Sequence, residues 1–314
     1  MSVAAALIRP LYHLGEHRPA LRAPRLQPVR RAIFRSMESL SRRQAETAQE
    51  AFDFAMPGPR LSIDLLPAML EAAAAKKKPQ RWDRRKPLDK VALRAGEVAR
   101  AMGRHLEGKR IVELACGDGR VAMHLARAGA SVLGVDLSPE FMAPEAAREV
   151  ELRLCDAAAL DVEDASVDAV YSFDAFEHFA DPAAVLDEVY RVLKPGGVLY
   201  ASFGPLWNSP FGAHQWGRID LPYVHLMFDW NDLQSFAAAT GRTKLTPSCN
   251  EKSLAYVRQT FAAQEPRFET ACYLEKFNVS FTNRVSEFAA CFRGRVNYFD
   301  ELIVRSIELV LRKR

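Results

Sequence analysis

Residues 112–120 read VELACGDGR. An apolar run carrying Glu113 ends at Ala115, and Gly117 and Gly119 then flank a single aspartate before Arg120. Glycine lacks a Cβ, so it reaches conformations and contacts that a side chain would block. A strand running into such a loop, with GRVAMHLARAGA (119–130) continuing as a helix closed by Gly129, is the start of a βαβ unit. Reading outward from it decides the fold.

Upstream, VALRAGEVARAMGRHL (91–106) reads as a helix that ends near Gly108, and RIVELA (110–115) as a short buried strand. Downstream, SVLGVDL (131–137) is a second strand, followed by a helix opening at SPEF (138–141). VELRLCD (150–156) and VDAVYSF (167–173) are the third and fourth strands. DPAAVLDEVYRVLKPGG (181–197) is a helix stopped by Pro195 and Gly196, and VLYASF (198–203) is the fifth strand. Strands alternating with helices argue for a parallel sheet with helices on both faces. The rhythm breaks at 204–230, GPLWNSPFGAHQWGRIDLPYVHLMFDW, which fits no single regular element. WNDLQSFAAAT (230–240) and EKSLAYVRQTFAAQ (251–264) return to helical spacing. FETACYLEKF (268–277) is a candidate strand, and VRSIELVLRKR (304–314) a final strand alternating Ile307, Leu309 and Leu311. Residues 91–314 thus read as one sheet domain with an insert at about 204–249.

Residues 1–90 are of another kind. Prolines at 10, 19, 24, 28, 57, 59 and 67 break them into helical pieces, of which SMESLSRRQAETAQEAFDFAM (36–56) has clear helical spacing, and AAAAKKKPQRWDRRKP (72–87) reads as a charged linker. They carry 18 Lys and Arg against 9 Asp and Glu, while residues 91–314 carry 25 against 30. A basic extension can meet an anionic membrane surface, nucleic acid or an acidic partner, or stand as a solvated helical arm. The first 35 residues, with seven Arg and one Glu, have the charge of a mitochondrial transit peptide but little of its serine.

The whole chain of 314 residues is 49% apolar and 26% charged, the balance of a globular protein. No run reaches the roughly 18 apolar residues of a membrane span. The five cysteines, at 116, 155, 249, 272 and 291, form no CxxC pair, which argues against a zinc framework. Sparse and odd in number, they suit reduced thiols in the cytoplasm.

In an open parallel sheet, ligands bind beyond the carboxyl ends of the strands. Asp136 ends the second strand, where a carboxylate can take both hydroxyls of a ribose, and Asp156 follows the third, where it can accept from an exocyclic adenine amine. Glu113 lies in the first strand and points toward the loop. The loop departs from the G-x-G-x-x-G dinucleotide fingerprint, because Ala122 stands where the third glycine would be. A pyrophosphate also wants a free helix N-terminus. A nucleoside with a cationic amino-acid tail does not.

These residues resemble the class I S-adenosylmethionine-dependent methyltransferases, and among them the type 11 methyltransferase domain. VELACGDGR is similar to the glycine-rich first motif, and GVDLSP (134–139) to the second. LCDAAALDVEDASVDAVYSFDAFEHF (154–179) resembles the adenine-binding segment with its fourth strand, and RVLKPGGVLYAS (191–202) the turn into strand five. The likeness covers about residues 91–203, and SIELVLRK (306–313) would be the family's last, antiparallel strand. It implies a Rossmann-like, doubly wound, mostly parallel seven-stranded α/β sheet, here with a helical N-terminal extension and a lid insert after strand five. It implies S-adenosyl-L-methionine as cofactor, held by Glu113, Ala115, Gly117, Gly119, Asp136, Leu137, Asp156, Ala157 and Phe173.

Methyl transfer from a sulfonium is a displacement on an activated carbon, so positioning the acceptor supplies much of the rate. An oxygen or nitrogen acceptor also sheds a proton. His178, in SFDAFEHF after the fourth strand, is a candidate base or a structural histidine beside the cofactor, and Glu177 and Asp174 could orient an acceptor. His214 and His225 lie eleven apart in the insert among Trp207, Phe211, Trp216, Tyr223 and Phe228. That segment reads as an acceptor pocket, as a packed lid without chemistry, or as a metal site wanting a third ligand. The leading expectation is methyl transfer to a small-molecule or lipid-like acceptor, foremost at oxygen. Set against it are a non-catalytic cofactor-binding or assembly protein and a nucleic-acid methyltransferase. The last is disfavoured because no N-P-P-Y-type motif follows the fourth strand.

Overall fold

The computed structural model describes residues 27–74, 88–138, 140–246 and 248–314, with side chains described from residue 41 onward. In chain order the elements are α1 (Gln27–Phe54), α2 (Leu66–Ala74), α3 (Leu88–Ala101), β1 (Arg110–Leu114), α4 (Arg120–Ala126), β2 (Ser131–Asp136), β3 (Glu151–Leu154), β4 (Val167–Phe173), α5 (Pro182–Val192) and β5 (Leu193–Phe203). Then come α6 (Val224–Met227), α7 (Trp230–Ala239), α8 (Leu254–Ala262), β6 (Phe268–Phe277), α9 (Thr282–Glu287), α10 (Ala289–Arg293), α11 (Asp300–Ile303) and β7 (Val304–Lys313). Most of the linker at 72–87 lies outside the described residues.

The seven strands form one sheet in the order β3-β2-β1-β4-β5-β7-β6. β1 runs parallel to β2 and β4, β2 to β3, and β4 to β5, while β7 runs antiparallel to β5 with Phe203 opposite Ile307. This is the doubly wound, mostly parallel seven-stranded fold that the family resemblance implied. The strand order reverses between β1 and β4, so their carboxyl ends flank the switch point where such sheets bind ligands. β1 and β4 are buried over almost their whole length, as their continuous apolar runs require.

Local chemistry explains the helices. The Asp181 carboxylate accepts from the Ala183 and Ala184 N–H groups and caps α5, with Pro182 at its first position. In α3 the buried residues are Val91, Arg94, Ala95 and Val98, one helical stripe with an arginine inside it. That helix stops at Ala101, earlier than expected, because Gly103 and Arg104 turn left-handed at φ 74° and 66°.

Two expectations are corrected. The segment after β2 forms turns and a three-residue 3-10 helix at Ala146–Arg148, not the helix expected from SPEF. Pro144 lacks the N–H that a helix there would need, and the Ala143 N–H bonds instead to the Asp118 carbonyl at 3.1 Å. Pro195 and Gly196 do not end a helix. α5 closes at Val192, and the two residues lie inside β5, where the pairing with β4 shifts register.

The described residues fall into two compact units. The sheet unit draws its described residues from 78–207, 248–275 and 306–314. The other draws its described residues from 1–77, 208–247 and 276–305, so α1 and α2 share a core with the insert after β5 where the sequence suggested a division at residue 90. Phe52, Leu66, Tyr223, Phe228, Phe292 and Leu302 are buried together there.

Candidate functional site

The loop after β1 is shaped by three left-handed residues, Ala115, Gly117 and Gly119, with φ of 52°, 57° and 67°. The two glycines are needed for different reasons. A Cβ on Gly119 would come within 3.1 Å of the Ala146 Cβ, so that glycine makes room for protein. A Cβ on Gly117 would meet no protein atom within 4 Å, so that glycine faces open space.

Glu113 is buried, and its Oε2 accepts from the Ala122 N–H at 3.2 Å and from the Tyr171 hydroxyl at 2.9 Å. Gly119 offers α4 no side-chain cap, and Glu113 supplies that bond from the strand instead. Burial, followed by the charge of Glu113, holds the Tyr171 hydroxyl far above the usual phenol range. Glu113 therefore braces the glycine loop from behind.

Asp136 is held by backbone alone. Its Oδ2 accepts from the Gly117 N–H at 2.9 Å and its Oδ1 from the Ser138 N–H at 3.1 Å. A carboxylate has about four acceptor positions, so two remain for hydroxyls of a ligand. Leu137 follows it, 76% exposed, and Leu154, which pairs with Asp136 across the strands, is 60% exposed. Apolar side chains left bare at adjacent strand ends offer a surface to a flat base. Beside them Asp156 is exposed, its Oδ1 taking the Ala158 N–H at 2.9 Å, and Ala157 is buried.

At the end of β4 buried and exposed charges meet. Phe173 lies against Tyr171 and Tyr200, with the Arg94 guanidinium 4.6 Å from its ring centre. Asp174, at φ 51°, pairs with Arg94 and also with Lys90 at 3.7 Å. Arg94 is 5% exposed, and its Nη1 has no hydrogen-bond partner among the described residues. Sequence reasoning missed Arg94. The signal was an arginine at a core position of the α3 stripe.

His178 is exposed, and its Nδ1 bonds to the Ser248 carbonyl. A carbonyl only accepts, so Nδ1 carries a proton in this bond. Next to it Glu177 is buried, and burial, then the charge of Asp174, pushes its carboxyl up to about 8.

The insert histidines belong to the other unit. His225 is buried in α6, between Val224 and Leu226 of its apolar core. His214, at φ 53°, lies against Trp216 with the rings tilted and their centres 4.8 Å apart. Among the described residues no three of His, Cys, Asp and Glu gather as a metal ion would require, and no helix is long and apolar enough to cross a membrane.

The structure thus brings Gly117, Asp136 and Leu137 together at one strand edge, and Phe173, Asp174, Glu177 and His178 at the end of β4. A family model described as a methyltransferase domain matches residues 112–201, the stretch containing both. Over 168 residues the chain is 33% identical to the ubiquinone biosynthesis O-methyltransferase of Alkalilimnicola ehrlichii, covering 45% of this chain and 68% of that one. It is 33% identical over 215 residues to an uncharacterized 37.1 kDa protein in a transposon of Streptomyces fradiae, covering 66% of this chain and 54% of that one. Among solved structures, an S-adenosylmethionine dependent methyltransferase from Mesorhizobium loti overlays with a TM-score of 0.43 at 21% identity, covering 71% of this chain and 99% of that one.

Proposed function

The chain belongs to the class I S-adenosylmethionine-dependent methyltransferases, and from that premise we propose that it methylates an oxygen of a small-molecule or lipid-like acceptor. The observation that carries the cofactor's place is Asp136, oriented by the Gly117 and Ser138 N–H groups beside a glycine that faces open space. When bound, S-adenosylmethionine supplies a methyl activated by its sulfonium.

The residues divide the rest of the work. The two remaining acceptor positions of Asp136 take the ribose hydroxyls, Leu137 and Leu154 flank the base, and Asp156 accepts from the adenine amine. Arg94, buried with Nη1 unsatisfied, gives a carboxylate its charge-assisted bond, and the methionine tail carries one. Glu113 and Tyr171 keep the loop in shape. Ala115, Gly119, Ala157 and Phe173 form the backing surface.

The oxygen acceptor is favoured by the relatives named as ubiquinone biosynthesis O-methyltransferases and by His178. With Nδ1 committed to Ser248, the His178 Nε2 takes the hydroxyl proton as the new bond forms. The excess of Lys and Arg in residues 1–90 keeps an anionic membrane surface or an acidic partner as a further proposed contact.

Two measurements test this reading. Calorimetry should show S-adenosylhomocysteine binding to the wild type. A labelled methyl group, supplied to a cell extract with the purified protein, should appear on an oxygen of a small molecule identified by mass spectrometry. His178→Ala should slow that transfer by about 10²–10⁴-fold with cofactor affinity kept. Normal turnover of that variant would remove His178 as the base.

A further inference from the structure

Glu177 is 3% exposed, and its two oxygens are treated unequally. Oε1 accepts from the Gly204 N–H, the first residue past β5, at 2.9 Å. Oε2 is buried with no hydrogen-bond partner among the described residues. A bare carboxylate oxygen in the interior is costly, because nothing replaces the water it gave up. The same loop is tied down on its other side. The Glu177 carbonyl accepts from the Asn250 N–H at 2.7 Å, the Asn250 Nδ2 donates to the Phe176 and Phe179 carbonyls at 2.9 Å each, and His178 is bound to Ser248.

We propose that Glu177 is a positioning residue for methyl transfer, a buried carboxyl that clasps the loop after β4 to the turn after β5 and so keeps His178 in its working orientation. The inference deepens the reading above, since it assumes that an acceptor meets the methyl beyond these two strands.

The surrounding charges say why the neutral form is required. On its own loop Glu177 faces Asp174, with His178 next in sequence. From α3 it faces Arg94, whose Nη2 is already given to Asp174, while Lys90 also serves Asp174. From the 248–251 segment comes Cys249, whose thiol is pushed up to about 11 by burial first and by the Glu177 and Glu251 charges after it. Arg94 is the cation whose charge lowers the Glu177 carboxyl, and burial together with the Asp174 charge outweighs it. Burial and Asp174 raise the Glu177 carboxyl to about 8, against an ordinary glutamate near 4.5. Its folded value is raised, so its contribution to stability is complete below about 4.5, falls as pH rises, and is gone above about 8.

The test uses the whole protein and four readouts. Infrared spectroscopy should show at neutral pH the carbonyl stretch of a protonated carboxyl, absent from Glu177→Gln and titrating away in the wild type with a midpoint near 8. The thermal midpoint of the wild type should fall relative to Glu177→Gln as pH climbs toward about 8, because glutamine keeps the Gly204 bond and cannot ionise. The ring-nitrogen resonances of His178 should report a fixed Nδ1–H tautomer in the wild type and in Glu177→Gln, and its loss in Glu177→Ala. Rescue by the amide separates a clasp from mere bulk. A missing infrared band, parallel stability profiles, or a His178 signature equal in all three proteins would each overturn the proposal. Calorimetry with S-adenosylhomocysteine on the wild type tests the underlying reading by itself, so the two can fail separately.

Discussion

The sheet unit and its companion are built from the same kinds of residue on opposite plans. In the sheet unit the groups proposed to face the ligand sit at the end of a strand or within a few residues beyond it. The bond that orients Asp136 comes from Gly117, 19 residues away across one βαβ turn. In the other unit, the buried Tyr223 hydroxyl donates to the Leu302 carbonyl 79 residues on, and the Asn208 amide to Glu301 across 93. One unit concentrates its chemistry at strand ends, and the other is held by pairings between three distant stretches. Binding should therefore break by single changes in the first unit, and stability by single changes in the second.

The largest effect expected is on binding. Asp136→Ala removes two proposed charge-assisted bonds to the ribose, each worth roughly 1.5–3 kcal/mol, so affinity for S-adenosylhomocysteine should fall by about a hundredfold or more. Calorimetry beside a thermal melt checks this, and an unchanged affinity takes Asp136 out of the site. Next comes Phe292→Ala. That ring is fully buried against Tyr223, 5.1 Å between centres, and its loss should cost about 3–5 kcal/mol in denaturant unfolding while cofactor affinity in native buffer stays as it was. A loss of affinity equal to that of Asp136→Ala would erase the contrast between the units.

The smallest effect sharpens the comparison inside the glycine loop. Alanine at Gly117 or Gly119 meets the same left-handed strain, about 1–2 kcal/mol. At Gly119 the new methyl also presses on Ala146, so the cost should show in stability. At Gly117 it enters open space, so the larger defect should be in S-adenosylhomocysteine affinity. Equal profiles for the two variants would show that the open space is not the ligand's.

The same contrast governs what could be read from the chain. β1, β2, β4 and the apolar alternation of β7 were legible because a buried strand writes its period in consecutive residues. The places of Asp136, the last residue of β2, and of the glycines just after β1 were legible for the same reason. The turns after β2 were misread because an N-terminal helix signal at Ser138 outweighed Pro144 a few residues later. Residues 278–303 were not read at all, since α9, α10 and α11 have 6, 5 and 4 residues, too few for a helical period to repeat. Nor did composition say that α1 would share a core with the insert, because that pairing is decided by which apolar faces meet in space. Arg94 was hidden by its type, for an arginine in a helical stripe is ordinarily assigned to the surface.

The antiparallel strand β7 also sets an order of events during synthesis. Its partner β5 ends at Phe203, and the residues that pair with it, Ile307 to Arg312, follow about a hundred positions later. Until they leave the ribosome, the nascent sheet ends in the largely apolar stretch Val198 to Phe203, with unpaired peptide groups along one side. Such an edge recruits other chains. Holding it shielded in the interval is a task for the helices already made, or for a chaperone, and a chain cut short before residue 304 would keep that edge permanently bare.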